Sequence, residues 1–335
     1  SDESGQLGAG RLPYETRPGR VVGLAGVRRI ASGVNHSLAV RSDGTVWTWG
    51  INNVGQLGDG STINNSKPAQ VRGLVEVVQA CGGAGYSLAL RQDGSVWAWG
   101  ENYYGTLADG TQENSPVPKQ VAQLSSISKL ACGSAHALAL SSDGRVWAWG
   151  SNAEGALGDG SKTDRSWPVE VSGLAGVVEL AAGEDFSAAL TLDGTVWEWG
   201  VVAPYADPRG APRVYPVPAV GVTGVAAIAG SVNSFSVLAI KADRKTWWRW
   251  TTGSTPLSQA GVGELMAVAA GYGQTLLLKT DGKVLSFGDN GNPFGNLGDG
   301  TSEYRDTPGP VVDIAGIVQV AAGTWHGLAL DATGK

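Results

Sequence analysis

Methionine is nearly missing from this chain, with Met266 the only one in 335 residues. Cysteine stops at two and histidine at three, and Asp, Glu, Lys and Arg together reach 16%, against about a quarter in an ordinary globular protein. No apolar run approaches the roughly 20 residues of a membrane-spanning helix. The formal charge of −6 argues against nucleic acid as a whole-surface partner. Because the chain starts at Ser1, a cleaved leader or trimmed ends are expected. No targeting segment is legible, so extracellular, periplasmic and cytoplasmic locations all stay open.

What is abundant is glycine, tryptophan and proline, at 51, 13 and 15 residues. Glycine stands at about twice its usual share. It follows no three-residue period, which excludes collagen. The 42% hydrophobic content excludes a disordered chain. Cys81 and Cys132 sit in near-identical contexts, Ala-Cys-Gly-Gly and Ala-Cys-Gly-Ser. These read as two small buried residues in repeated strands. A disulfide or a reactive thiol is the other reading, and two cysteines do not fix the redox compartment.

Repetition organises the whole sequence. Residues 33–60 contain Gly-Val-Asn-His-Ser-Leu-Ala-Val, then Asp-Gly-Thr-Val-Trp-Thr-Trp-Gly, then Asn-Asn-Val-Gly-Gln-Leu-Gly-Asp-Gly. The frame returns at Gly83, Gly133 and Gly183, and more loosely at Gly230, Gly271 and Gly323. Each copy reads as four short strands: Val27 to Ala31, His36 to Val40, Val46 to Trp49 and Ala69 to Arg72. Asp43-Gly44 marks a hairpin between the second and third. Such a unit cannot bury its own faces, but seven stacked around an axis can. The expectation is therefore all-β: a seven-bladed propeller with four-stranded antiparallel blades, forming one domain over 1–335. Ser4-Gly5-Gln6-Leu7-Gly8 matches the loop at 54–58, and the chain stops at Asp331-Ala332-Thr333-Gly334-Lys335. Residues 1–24 and 317–335 should then share a closing blade whose third strand, a Trp-x-Trp-Gly, has been trimmed.

The phrase Ser-Leu-Ala-Leu, Asp-Gly-x-Val-Trp-x-Trp-Gly, x-Asn-x-x-Gly-Gln-Leu-Gly resembles the regulator-of-chromosome-condensation repeat family across essentially the whole chain. The resemblance implies a seven-bladed propeller closed by both termini. It leaves function open, because the family includes a nuclear guanine-nucleotide exchange factor, a plant UV-B photoreceptor, ubiquitin-ligase modules and a secreted bacterial β-lactamase inhibitor. The exchange factor's wedge-like insertion and basic tail have no counterpart here. The photoreceptor's Gly-Trp-Arg-His-Thr motifs are also missing, and Trp325 is the only tryptophan in the matching turns. The inhibitor shares the architecture but has shorter repeats.

If the strands alternate in direction, the Gly-x-x-His turns and the long loops after Trp-x-Trp-Gly share one end. The Asp-Gly hairpins share the other. Variable loops on a rigid scaffold usually carry specificity, so the loop end is the expected working face. Ten tryptophans form Trp-x-Trp pairs at 47/49, 97/99, 147/149, 197/199 and 248/250, where spacing by two suits filling between blades. Trp247 and Arg249 fall on the opposite strand face, and Trp and Arg are typical binding hot spots. The irregular stretch after Gly200 offers Tyr205, Arg209, Arg213 and Tyr215 in a proline-stiffened loop. Tyr103, Tyr104 and Trp325 complete the candidate partner-binding set.

His36, His136 and His326 occupy equivalent positions in non-neighbouring repeats. That suits structural hydrogen bonding, not a shared zinc at about 2 Å from each. Leu-Gly-Asp-Gly lacks the ligand pattern of a calcium loop and reads as a turn. No catalytic elbow, phosphate loop or dinucleotide fingerprint is present, and scattered carboxylates such as Glu184 and Asp185 do not make a case for catalysis. The sequence thus leads to a monomeric, non-catalytic module without cofactor or metal that binds a protein through its loop face. The alternatives are an exchange-factor-like regulator of a small GTPase, and an enzyme or small-ligand binder using the central funnel.

Overall fold

The computed structural model describes residues 5–10, 15–201, 212–230, 232, 236–251, 257–290 and 295–335. Among these residues there is no helix, and the strands form six four-stranded antiparallel sheets and one two-stranded sheet. In blade one the strands are Val27–Ser32, His36–Arg41, Val46–Gly50 and Asn65–Gln70, hydrogen-bonded in that order. Blades two to six repeat the order from Val77, Ile127, Val177, Val225 and Leu265. The seven four-stranded blades expected from the repeat count are thus corrected to six. Ile317–Ala322 pairs with Gly327–Asp331 and, among the described residues, with no third strand. This small sheet packs against the first strand of blade one. Gln319 holds that contact by donating to Ile30 O (2.9 Å) and accepting from Ile30 N (3.1 Å).

The local rules follow the sequence closely. Gly44 takes φ +78° in the hairpin, and Asp43 Oδ1 accepts from Thr45 N at 3.0 Å. In blade five the hairpin carries one extra residue. Arg244 adopts φ +56° where glycine stands elsewhere, and Asp243 accepts from the amides of Lys245 and Thr246. The fourth strand runs 65–70, earlier than the 69–72 expected. Pro68 sits inside it, which an outer strand tolerates because it pairs on one side only.

Both faces of every blade are covered. The core is divided into layers, one for each pair of neighbours, such as Tyr86, Leu88 and Val96 of blade two against Ala137, Ala139 and Trp149 of blade three. The second tryptophan of each of the first four pairs is 0–1% exposed. Its indole N–H donates to a loop carbonyl of the preceding unit: Trp49 to Gln6, Trp99 to Gln56, Trp149 to Thr106 and Trp199 to Ala156, at 2.8–2.9 Å.

The histidines complete this interlock. His36 Nε2 lies 2.9 Å from Ser87 Oγ, His136 Nε2 2.9 Å from Ser187 Oγ, and His326 Nε2 3.1 Å from Ser37 Oγ. Each serine in turn donates to the same carbonyl that accepts the tryptophan, at Gln56, Ala156 and Gln6. The serine hydroxyl therefore accepts from Nε2–H, and burial away from water keeps the ring neutral. Burial lowers His36 and His136 to about 4 and His326 to about 3. The structural role expected for these residues is what the geometry shows.

Blade five departs from the pattern. Trp250 donates to Glu198 Oε2 at 2.9 Å, and Arg213 pairs with the other carboxylate oxygen. Glu198 is 3% exposed and stands where Thr48, Ala98 and Ala148 stand in other blades. The sequence after Gly200 has lost the Gly-x-Leu-Gly turn whose carbonyl would receive Trp250, and the carboxylate replaces it. Glu198→Ala should lower unfolding free energy by about 3 kcal/mol, because it leaves Arg213 and the indole N–H without their acceptor in a buried layer. Glu198→Gln, which keeps an acceptor, should lose less. Urea denaturation checks both, and an Ala variant within about 1 kcal/mol of the parent contradicts the account.

The two cysteines are joined. Cys81 and Cys132 form a disulfide between the first strands of blades two and three, with Cα atoms 5.8 Å apart. This corrects the reading of two separate small core residues. The contexts look alike but differ by one position, since Cys81 lies two residues before Gly83 and Cys132 one before Gly133. A one-residue offset turns a strand side chain to the other face. Facing blades need that arrangement to bring two sulfurs together.

Candidate interaction face

The two ends of the propeller sort as the strand directions require. Ile51 N donates to Asn35 O, which places the long loop beside the first turn, and Ser42 N donates to Gly26 O, which places the hairpin beside the connector. On the loop end the chain is pinned from within. Asn52 is fully buried; its Oδ1 accepts from Leu57 N at 2.9 Å, and its Nδ2 donates to Asp59 Oδ1 at 3.2 Å. Asn102, Asn152 and Asn290 repeat the arrangement. The Leu-Gly-Asp-Gly aspartates are therefore turn residues. Asp109, in the related turn Leu107-Ala108-Asp109-Gly110, illustrates the balance: burial opposes its charge, yet Lys119 at 2.8 Å, with Thr111 and Asn102, holds it down to about 2.

The expected binding residues divide into three groups. Tyr103 and Tyr104 lie on the loop face, 66% and 37% exposed, with ring centroids 4.9 Å apart and edge to face. Trp325 is half-buried in its turn, 5.2 Å from the ring of the exposed Tyr272. Trp247, Arg249 and Arg213 turn inward. Trp247 is 1% exposed, packs on Phe287 at 5.5 Å and takes the core position of Val46. Arg249 is half-buried, so that desolvation lowers its pKa, and Arg213 is paired with Glu198. Facing away from the Trp-x-Trp side does not mean exposure in a propeller, because the opposite face meets the next blade. Tyr205 and Arg209 lie outside the described residues.

Tyr272 and Trp167 join the face without having been singled out among the candidates. Trp167 sits third in the outer strand of blade three, 43% exposed, with its ring against Gly110 of blade two. The signal was positional: Lys67, Val117 and Tyr215 hold the same place in other outer strands.

The turns and loop starts of this face are acidic, while Lys119, Lys162 and Arg165 lie farther along the loops and outer strands. The turns and loop starts carry Glu101, Glu154, Glu184, Asp185 and Asp289, and among the described residues the same segments carry no Lys or Arg. Burial raises the Glu184 carboxyl, helped by Asp185, and burial raises Asp185, helped by Glu154. Among the described residues no group of three or more His, Cys, Asp or Glu gathers as a metal-binding set.

The model of the RCC1-like domain matches residues 1–206, and that of the regulator of chromosome condensation (RCC1) repeat matches 281–330. Among solved structures, Prp20p from Saccharomyces cerevisiae superposes with a TM-score of 0.85 at 23% identity, covering 98% of this chain and 89% of that one. Human WBSCR16 superposes at 0.80 and 22% identity, covering 90% and 86%. No curated protein matches by sequence. At these identities the superpositions speak for the fold alone. The match over more than half of the chain, on a repeat whose turns, tryptophans and asparagines all serve the blades, decides the family: this chain belongs to the RCC1-like domain family.

Proposed function

We propose that this protein is a non-catalytic binding module, a single propeller domain over 1–335 with 1–24 and 317–335 closing the ring, which engages a protein partner through its loop face. The observation that carries the reading is the display there of exposed aromatic side chains: Tyr103 and Tyr104 on a loop anchored by the buried Asn102, and Tyr272 in the tight turn between two strands of blade six. Aromatic residues on a rigid support are the usual anchors of protein interfaces. Prp20p, similar in fold, has been described with its binding to Gsp1p and histones, which supports a protein partner as the class. The alternative is a regulator of a small GTPase, and the partner's identity separates that case from a scaffold.

A photo-crosslinking residue at Tyr103 should capture a partner, whereas one at Leu192 on the hairpin end, 80% exposed, should not. Tyr103→Ala combined with Tyr272→Ala should weaken binding of the identified partner by tenfold or more with an unchanged melting curve. Capture through Leu192 alone would refute the assignment of the face.

A further inference from the structure

We propose that the hollow between blades two and three on the loop face receives a Lys or Arg side chain from a basic segment of the partner. This rests on the loop-face reading above and deepens it by naming the partner's chemistry. The hollow has a volume of about 460 Å³ and is lined by Tyr104, the 110–113 segment, Asp164 and Ser166.

Its walls suit an organic cation. The Tyr103–Tyr104 pair stands on one side, and a ring face attracts a cation within about 6 Å. Trp167 adjoins the floor at Gly110, where φ is +78° and a Cβ would come within 2.2 Å of the indole. Only glycine lets that ring lie so close. Glu113 and Asp164 bring two carboxylates, and among the described residues no salt bridge joins either to a Lys or Arg. Asp164 Oδ1 accepts from Asn152 N at 2.7 Å, which fixes the group beside the hollow. The neighbouring Asp109, by contrast, is already neutralised by Lys119 at 2.8 Å.

The repeat supplies its own controls. At the seam between blades one and two the matching positions are Val54, Ile63 and Asn114, and in the next repeat Tyr104 and Glu113 become Glu154 and Thr163. Between blades three and four Tyr215 takes the place of Trp167 and Glu154 that of Tyr104. The ring of Tyr104 and the paired carboxylates of Glu113 and Asp164 therefore come together at one of these seams. That seam is also the one cross-linked by Cys81–Cys132 and tied by Gln79, which donates to Leu130 O at 2.8 Å and accepts from Leu130 N at 3.0 Å. A fixed seam holds the hollow open before binding, which reduces the ordering cost. The surrounding acidic turns add long-range attraction for a basic segment.

The test uses a fluorescein-labelled decapeptide of alternating Gly and Arg, with a Gly-Gln decapeptide as neutral control, followed by anisotropy at low salt. Binding of the Arg peptide at least tenfold tighter than the Gln peptide is expected. Tyr104→Ala and Glu113→Gln should each weaken it about fivefold or more, while Glu264→Gln, an acid at the hairpin end, should leave it unchanged. Equal binding of both peptides would overturn the proposal, as would indifference to the Tyr104 and Glu113 changes or an equal loss with Glu264→Gln. If crosslinking at Tyr103 still captures a partner while the Arg peptide fails, the loop-face reading stands and the cationic occupant does not.

Discussion

Taking the protein from pH 6.5 to pH 4.5 is expected to remove about 7 kcal/mol of unfolding free energy. The cause is three buried neutral histidines whose folded pKa values lie near 4, 4 and 3. In the unfolded chain each returns to about 6.5. Between those values the unfolded state binds up to three more protons than the folded state. Stability therefore rises with pH in this window and falls as the pH drops, by up to about 1.4 kcal/mol per histidine per pH unit. A loss of that size consumes most of the net stability of an ordinary domain. Glu179, Glu184 and Asp185 act with the opposite sign, because their raised folded pKa values favour the folded state as they take up protons. Their effect is smaller, because each is only half-buried whereas the histidines are sealed from water. Urea denaturation at pH 7, 6, 5 and 4.5 reads the slope. His136→Gln, which copies Gln274 at the matching position, should reduce the slope by about one proton. A pH-independent midpoint across this range would contradict the neutral-histidine interlock.

Opening the Cys81–Cys132 disulfide is expected to cost about 4 kcal/mol. The two residues are 51 positions apart, and closing a loop of that length removes about this much chain entropy from the unfolded state. Cys81→Ala with Cys132→Ala should therefore lower the urea midpoint without changing the fold. The oxidised protein should show no free thiol after denaturation. Detection of two thiols in the untreated protein, or equal stability of the double variant, would refute the cross-link's role. If the hollow at this seam is held open by the cross-link, the same variant should also bind the Arg peptide more weakly.

Much of the architecture was legible because the repeat writes the same physical requirement many times. Asp-Gly at most hairpins, Trp-x-Trp on most third strands and a buried asparagine in four of the long loops all announce a blade. The histidine interlock was legible too, in a pairing between repeats. His36, His136 and His326 each face a serine on the following unit, Ser87, Ser187 and Ser37, whereas Tyr86 faces Ala137 and Phe186 faces Val237. A polar ring appears where the neighbour offers a hydroxyl.

The candidate site was less legible. Assigning Trp247 and Arg249 to a surface treated the sheet as having one wet side, which is true of many antiparallel sheets and false between blades. Arg213 is not available to a partner, because it pairs with Glu198, 15 residues earlier in the sequence.

The sequence by itself determined the strands, their hairpins and the face that bears the variable loops, because these depend on local chemistry repeated at a fixed interval. Only the tertiary structure decided the number of complete blades, the disulfide, the fate of Trp247 and the joining of Tyr104, Glu113 and Asp164 around one hollow. Those outcomes depend on which side chains meet across a seam between blades, and residues one whole repeat apart carry no local mark of having become neighbours.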